Sequence, residues 1–406
     1  MFTTSMQILF FAAVLIIVYV YVGYPVFLLV GARLLPVGHR IDDKILPRVT
    51  MLISAFNEKA VIREKIENSL TLDYPSELLE IAVVSDASFD GTDEIVQEYA
   101  GRGVRLIRQE NRLGKSTGLN LGVTSTSGDL LLFSDANAIY SPDAIRKLVR
   151  HFADPRVGYV VGRARYREPN DAQASAQSEG LYWKLESWLK EKESLWGSVI
   201  GGDGAIYAIR RSLYSPLRPT DINDFLNPLQ IISQGFRGIY DPAAECFEDA
   251  GDSFEKEFQR KIRIISRSLN AVWRAPQVLL PWVQVRHWVS LLSHKLLRWS
   301  VPLLMILAFL SATALYWHPL YLFFIVVQVL FYVLALTGYS RRNRPRQSRV
   351  LYLPYYFCLV NLASLIGISK FFFGSLAPTW QTIRDPGAMG QPASSPTPAA
   401  LAKKES

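Results

Sequence analysis

Three stretches of the chain carry no Asp, Glu, Lys or Arg and run long enough to leave water altogether. Ile8 to Val30 has the length of a bilayer crossing, which takes about 20 apolar residues. Val301 to Tyr339 is interrupted only at His318-Pro319, and Val350 to Ser369 follows it. No basic residue precedes the first stretch and no small-residue cleavage pattern follows, so it reads as a retained anchor rather than a signal peptide. The second stretch is long enough for two crossings with a turn at Trp317-His318-Pro319, and the third is either a further crossing or a re-entrant segment.

Between the first and second stretches the pattern changes to short β-rich runs alternating with helical ones. Val49–Ser54, Glu80–Ser85, Val104–Arg108 and Asp129–Ser134 read as strands. Val61–Ser69, Thr92–Tyr99 and Pro142–Phe152 read as helices. That alternation predicts a mostly parallel sheet covered by helices, whose ligands bind beyond the carboxyl ends of the strands. Those ends carry Ala55-Phe56-Asn57-Glu58, Asp86 and Asp135. The predicted division is an anchor at 1–32, a soluble α/β domain at 45–270, interfacial helices at 271–299, about three membrane helices at 300–375, and a Pro/Ala/Ser-rich disordered tail at 385–406.

Two more segments are amphipathic. Leu181, Leu185, Trp188, Leu189, Leu195 and Trp196 share a helical face, with Lys184, Glu186, Lys190, Glu191 and Glu193 mostly elsewhere; the helix lies either at the membrane surface or against the sheet. Gln277–Trp299 mixes Trp282, Trp288 and Trp299 with Arg286, His287, His294, Lys295 and Arg298, a combination that favours the headgroup layer.

Composition agrees with a membrane protein: 50% of the residues are hydrophobic, 20% are charged and the mean hydropathy is +0.13, against about a quarter charged in soluble domains. There are 44 basic and 36 acidic residues, a net charge of +8 and a pI near 9.3. In a membrane protein this surplus points to anionic lipid and anionic substrates rather than nucleic acid. Arg33, Arg40, Lys44 and Arg48 follow the first span, which places the N-terminus outside and the α/β domain in the cytoplasm. The cluster Arg341, Arg342, Arg344 and Arg346 then falls on the same side. Two cysteines, Cys246 and Cys358, are too few for a disulfide framework or a zinc site.

The candidate chemistry lies at the strand ends. Gly114-Lys115-Ser116-Thr117 looks like the close of a P-loop, but Gln109 stands where that motif needs glycine; Lys115 is left as a single cation near a phosphate or an exposed loop lysine. Asp90 precedes Gly-Thr-Asp-Glu and reads as a helix cap, whereas Asp86 has no such structural duty. Asp135-Ala136-Asn137 ends an apolar strand with two oxygen donors, the type Mg²⁺ or Mn²⁺ shares with substrate phosphates. Asp224 is a candidate general base and equally a candidate helix cap. Arg260, Lys261, Arg263 and Arg267 share a helical face that either neutralises a diphosphate or is simply solvated.

Taken in order, these segments resemble the membrane-bound glycosyltransferase family 2 enzymes, the group of cellulose, chitin, hyaluronan and poly-N-acetylglucosamine synthases. The resemblance rests on Ser54–Glu58, Asp86, Asn111–Asn120, Asp135–Asn137, Gly201–Arg210, Asp224, Arg260–Ile264, Ser293–Trp299 and Pro378-Thr379-Trp380. It implies a glycosyltransferase A-type, Rossmann-like cytoplasmic domain combined with α-helical transmembrane segments in the cell membrane. It also implies roles: Ala55, Phe56, Glu58, Asp86, Lys115, Asp135, Arg260 and Arg263 for a nucleotide sugar, expected to be UDP-linked; Gly202 and Asp203 for the acceptor; Asp135 and Asn137 for Mg²⁺ or Mn²⁺; Asp224 as catalytic base of an inverting transfer. Ser54, Phe56 and Asn137 depart from the family pattern. So do Arg260 and Ile264, which replace the Gln and Trp tied to processive synthesis. The resemblance therefore implies either polysaccharide elongation or transfer of one sugar to a lipid-linked acceptor.

Overall fold

The computed structural model describes residues 2–167, 174–249, 254–282, 284–342 and 348–374. The tail at 385–406, Pro378-Thr379-Trp380, and Arg344 and Arg346 lie outside the described residues.

Strands β1 (Val49–Ala55), β2 (Leu79–Ser85), β3 (Val104–Arg108) and β4 (Leu130–Asp135) pair in parallel in the order β3-β2-β1-β4. Every residue of β1 is buried, as expected for a central strand covered on both faces. Its side chains alternate between two cores. Met51 and Ile53 join Val83 and Leu132 on one side; Leu52 joins Val84 and Phe133 on the other. Helices α2 (Ile62–Leu70), α3 (Thr92–Glu98), α4 (Lys115–Thr124) and α5 (Ala144–Val149) accompany these strands.

Beyond β4 the sheet departs from simple parallel alternation. The full order is β3-β2-β1-β4-β7-β6-β8-β5. Strand β7 (Tyr207–Arg210) is inserted antiparallel between β4 and β6 (Val157–Arg167), and β6 pairs in parallel with β8 (Arg237–Asp249). The two-residue β5 (Ile139–Tyr140) closes the edge against β8. The antiparallel return brings the loop before β7, Val199–Ile206, over the carboxyl end of β4.

Among the described residues, four helices are long and apolar enough to cross a membrane: α1 (Phe2–Leu34), α9 (Val285–Thr313), α10 (Pro319–Ser340) and α11 (Arg349–Phe373). The helix α9 begins inside the stretch read as interfacial and continues through a π-helical turn at Leu291–Leu297 into the apolar span. Another π-turn lies in α1 at Tyr19–Gly23. Phe10 and Ala13 of α1 pack against Ala308, Ala312 and Tyr321.

Helix α6 (Ala174–Trp196) is packed rather than exposed: Leu189 and Trp196 bury against Tyr24, Leu28 and Ala32 of α1. Gly31 permits this approach, since a Cβ there would stand 2.9 Å from the Trp196 indole. The sequence pattern puts the charges of α6 mostly on the opposite face, yet Glu186 and Glu193 are buried with Leu189. Helix α8 (Phe254–Arg274) turns Ile262 and Ile265 toward Gly367 of α11. Trp273 and Trp282 flank the next turn and are largely exposed.

Candidate active site

One end of the site is built at the ends of β1 and β2. Asn57 and Ala87 take left-handed backbone conformations, with φ of 52° and 58°, a geometry that costs energy for a residue with a Cβ and is held here by neighbouring bonds. Asn57 Oδ1 accepts from Phe89 N at 3.1 Å, and Asn57 N donates to Ser88 Oγ at 3.2 Å. Asp86 is buried, and its Oδ1 accepts from Gln109 Nε2 at 2.6 Å and from the amides of Leu113 and Gly114 at 2.9 Å each. It thus folds the loop leading to Lys115, a structural duty the sequence did not disclose, and burial raises its pKa. The Arg112 guanidinium lies 3.8 Å from the centroid of the Phe56 ring, with the exposed Phe89 ring 6.1 Å from Phe56. Ala55 is buried at the end of β1, and Glu58 N donates to Thr92 Oγ1 at 2.9 Å. Asp90 accepts from Thr92 N at 3.0 Å, just before α3.

Lys115, at the start of α4, forms an ion pair with Asp135 at the end of β4. Gly204, on the loop before β7, faces both: a Cβ there would stand 3.3 Å from Asp224 Oδ2, 3.6 Å from Asp135 Oδ2 and 3.7 Å from Lys115 Nζ. Three groups far apart in sequence therefore converge on one point that lacks a side chain. Gly202 N donates to the Asp224 carbonyl, and Gly201, with φ of 80°, turns the loop into that contact. Asp203 is held by Lys190 Nζ at 3.3 Å.

Asp224 lies in the first turn of α7 (Asn223–Ser233). Its Oδ1 is buried and, among the described residues, has no hydrogen-bond partner. Burial raises its pKa; Asp203 and Asp135 push the same way and Lys115 opposes them. The neighbouring Asp221 plays a different part. It is fully buried, accepts from Arg218 N at 2.6 Å and pairs with Arg274 of α8. The segment thus contains one structural acid and one turned toward the pocket.

Helix α8 supplies the basic face. Arg260 and Lys261 share Glu257, at 2.7 and 2.9 Å. The Arg263 guanidinium has no ion pair among the described residues; burial and Arg260 lower its pKa, while Asp135 and Asp224 act to raise it. Arg267 is lowered to about 10 by burial and by Arg263.

Three residues near the pocket do not stand out in the sequence: Gln109 and Lys190, described above, and Glu248. Strand pairing of Ile139 with Phe247 sets Glu248 beside the turn that follows Asp135. Burial, with Asp135 and Asp203, pushes its pKa up to about 8. An acid two residues past a buried cysteine in β8 offers no periodic signal by which to find it.

The donor set suits a hard cation. Asp135 and Asn137 present oxygen donors, and among the described residues no group of three or more His, Cys, Asp or Glu could hold a metal alone. The space left by Gly204 beside Asp135 Oδ2 leaves room for ligands brought by a substrate, the way Mg²⁺ is usually shared with phosphates.

The sheet order, the strand-end acids and the loop before β7 define a glycosyltransferase A-type fold joined to four helices capable of crossing a membrane. Residues 50–217 match the family model described as Glycosyl transferase family 2. Poly-beta-1,6-N-acetyl-D-glucosamine synthase of Staphylococcus aureus (strain COL) is 27% identical over 222 residues, covering 53% of each chain. Probable glycosyltransferase YdaM of Bacillus subtilis (strain 168) is 28% identical over 240 residues, 55% of this chain and 56% of that one. The chain thus spans about half the length of the curated relatives it matches. Among solved structures, the mannosyltransferase PcManGT from Pyrobaculum calidifontis in complex with GDP-Man and Mn²⁺ superposes with a TM-score of 0.66 at 20% identity, over 90% of this chain and 99% of that one. That likeness establishes a shared fold.

Proposed function

We propose that the protein is a membrane-embedded inverting glycosyltransferase that moves a sugar from a nucleoside-diphosphate sugar to a growing polysaccharide. The observation that carries this reading is the half-buried Asp224 carboxylate, its Oδ1 without a partner among the described residues, facing the Asp135–Lys115 pair across Gly204. The uracil base of a UDP-linked donor lies against Phe56, Arg112 and Asp86, and the donor's diphosphate near Lys115, Arg260 and Arg263. Gly202 and Asp203 border the acceptor. Asp224 removes the proton of the acceptor hydroxyl as that oxygen bonds to the anomeric carbon. The anomeric C–O bond to the diphosphate breaks, and the nucleoside diphosphate leaves with the electron pair. Lys115 and Arg263 meet the charge that develops on it. Asp135 and Asn137 would hold Mg²⁺ or Mn²⁺, which supplies Lewis-acid stabilisation of the departing diphosphate. The positive charge after α1 and after α10 supports a cytoplasmic catalytic domain with the N-terminus outside the cell membrane. Names of the relatives support N-acetylglucosamine polymerisation.

A second reading, transfer of one sugar to a lipid-linked acceptor, is favoured by Arg260 and Ile264 at the positions tied to processive synthesis. The test is to incubate the full chain in lipid nanodiscs with a panel of UDP- and GDP-sugars and Mn²⁺ or Mg²⁺, measuring released diphosphate and product length. Asp224→Asn is expected to lower transfer by about 10²–10⁴-fold, and wild-type rates in that variant would refute its role. Long products support elongation; single-sugar lipids support the second reading.

A further inference from the structure

The loop carrying Gly201, Gly202 and Asp203 is tied to the membrane helices through one buried carboxylate. Glu193 of α6 is fully buried. Its Oε2 accepts from Ile200 N at 3.2 Å, directly before Gly201. Its Oε1 accepts from Tyr24 Oη of α1 at 2.8 Å and meets His294 Nδ1 of α9 at 2.7 Å. The other ring nitrogen of His294 faces Glu186 at 3.2 Å, and Glu186 also pairs with Arg298. One turn before Glu193, Lys190 holds Asp203. Tyr24 directly follows a π-turn, Tyr19–Gly23 in α1, and His294 lies within another, Leu291–Leu297 in α9; these turns are joined by Tyr19 Oη and Ser293 Oγ at 2.8 Å. Such π-turns often accompany functional sites, because they displace one residue from the regular helical ladder. Here they flank a carboxylate whose remaining oxygen reaches a loop of the pocket. That loop in turn donates from Gly202 N to the carbonyl of Asp224.

We propose that Glu193 is a positioning residue: it fixes the acceptor-side loop from the membrane helices α1 and α9, and through Gly202 sets the place of Asp224. This rests on the role proposed above for Asp224. A helix-packing role alone would not require the carboxylate to accept from a loop amide. The nucleotide end of the site, at β1, β2 and α4, lies outside this chain of bonds, so the two ends should respond differently when it is cut.

The test uses the full chain in nanodiscs with Glu193→Gln and, as a variant that keeps nearly the whole shape of the side chain, Tyr24→Phe. Hydrogen exchange at Ile200 and Gly202 is expected to quicken by about tenfold to a hundredfold in both, as loss of a bond to a buried charged group implies. The turnover number should fall by about tenfold or more, with the dissociation constant for UDP and Mn²⁺ held within about twofold. Unchanged exchange at Ile200 and Gly202 in Tyr24→Phe would overturn the proposal. So would a parallel loss of turnover, UDP affinity and thermal midpoint, the signature of a merely structural residue. If the wild-type chain transferred no sugar from any donor, the transferase reading would fall, while the exchange measurement would still decide whether Glu193 holds the loop.

Discussion

Gly204→Ala puts a methyl group at the point where three charged groups converge, and activity and stability should move in opposite directions. The new Cβ would stand 3.3 Å from Asp224 Oδ2, tighter than such contacts normally are, and within van der Waals reach of Asp135 and Lys115. Asp224 must then retreat by a few tenths of an ångström, and the methyl also occupies the space to which the proposed mechanism brings the sugar diphosphate. A displacement of about 1 Å costs about 10²-fold in rate, so retreat and obstruction together predict a loss of about tenfold to a hundredfold. Folding should not suffer. Gly204 is outside the left-handed region, and a Gly→Ala change at a compatible backbone stabilises by about 0.4–1 kcal/mol through the unfolded chain. Gly201→Ala is the contrasting control: its φ of 80° makes a side chain cost about 1–2 kcal/mol. Turnover, UDP affinity and thermal midpoint should be measured on both variants in nanodiscs. Wild-type turnover in Gly204→Ala would show that the reacting groups do not meet at this point.

The pKa of Asp224 is raised by burial and by Asp203 and Asp135 and lowered by Lys115. As a base it works only when deprotonated, so the rate should fall as pH drops through a value higher than that of an ordinary aspartate. In a kcat/KM–pH profile Asp203→Asn should move that acid limb to lower pH, and Lys115→Met to higher pH; no movement in either variant would refute the assignment. Phe56→Leu removes the face under Arg112 and should weaken UDP binding by about three- to tenfold, from a cation–π contact of about 0.5–1 kcal/mol at an exposed site and the lost stacking surface. Titration calorimetry with UDP would measure it. Far from the pocket, burial pushes the Asp241 carboxyl up, but His151, the Ala243 amide and Arg150 outweigh it and hold it at about 2. A lowered folded pKa stabilises above the unfolded value near 4, and that contribution is lost as pH falls toward 2. Asp241→Asn should therefore lower the thermal midpoint at pH 7, by about 2 kcal/mol of stability, with the gap closing below pH 4.

β1, β2 and β4 were legible because each is a short apolar run closed by an acid or a polar turn, and a strand buried on both faces needs nothing more distant to announce it; the edge strand β3, VRLIR, shows instead a partly alternating pattern with Arg105 and Arg108 exposed. Asp86 and Asp135 stand at strand ends for the same reason. The antiparallel β7 was not legible: Tyr207–Arg210 is apolar in either direction, and its orientation is decided by pairing with Leu130–Phe133, about 75 residues earlier. Nor was the burial of Glu186 and Glu193, since their partners His294 and Arg298 lie about 100 residues downstream. Asp221 and Asp224 look alike in sequence, and only Arg274, arriving on another helix, separates them.

Helix α8 presents Arg263 and Arg267 toward the acids of the pocket and rests Ile262 and Ile265 on Gly367 of α11. A Cβ at Gly367 would stand 3.0 Å from the Ile265 side chain and 3.2 Å from the Ile262 carbonyl oxygen, so α8 lies directly on the Gly367 backbone with no second side chain between them. The catalytic unit and the membrane unit therefore share a wall. A fragment ending at β8 keeps the sheet and both strand-end acids, yet it lacks Arg260, Arg263 and Arg267 and the arginine that anchors Asp221. The basic wall of the pocket therefore stands on a helix whose other side rests on α11, the last of the apolar helices described.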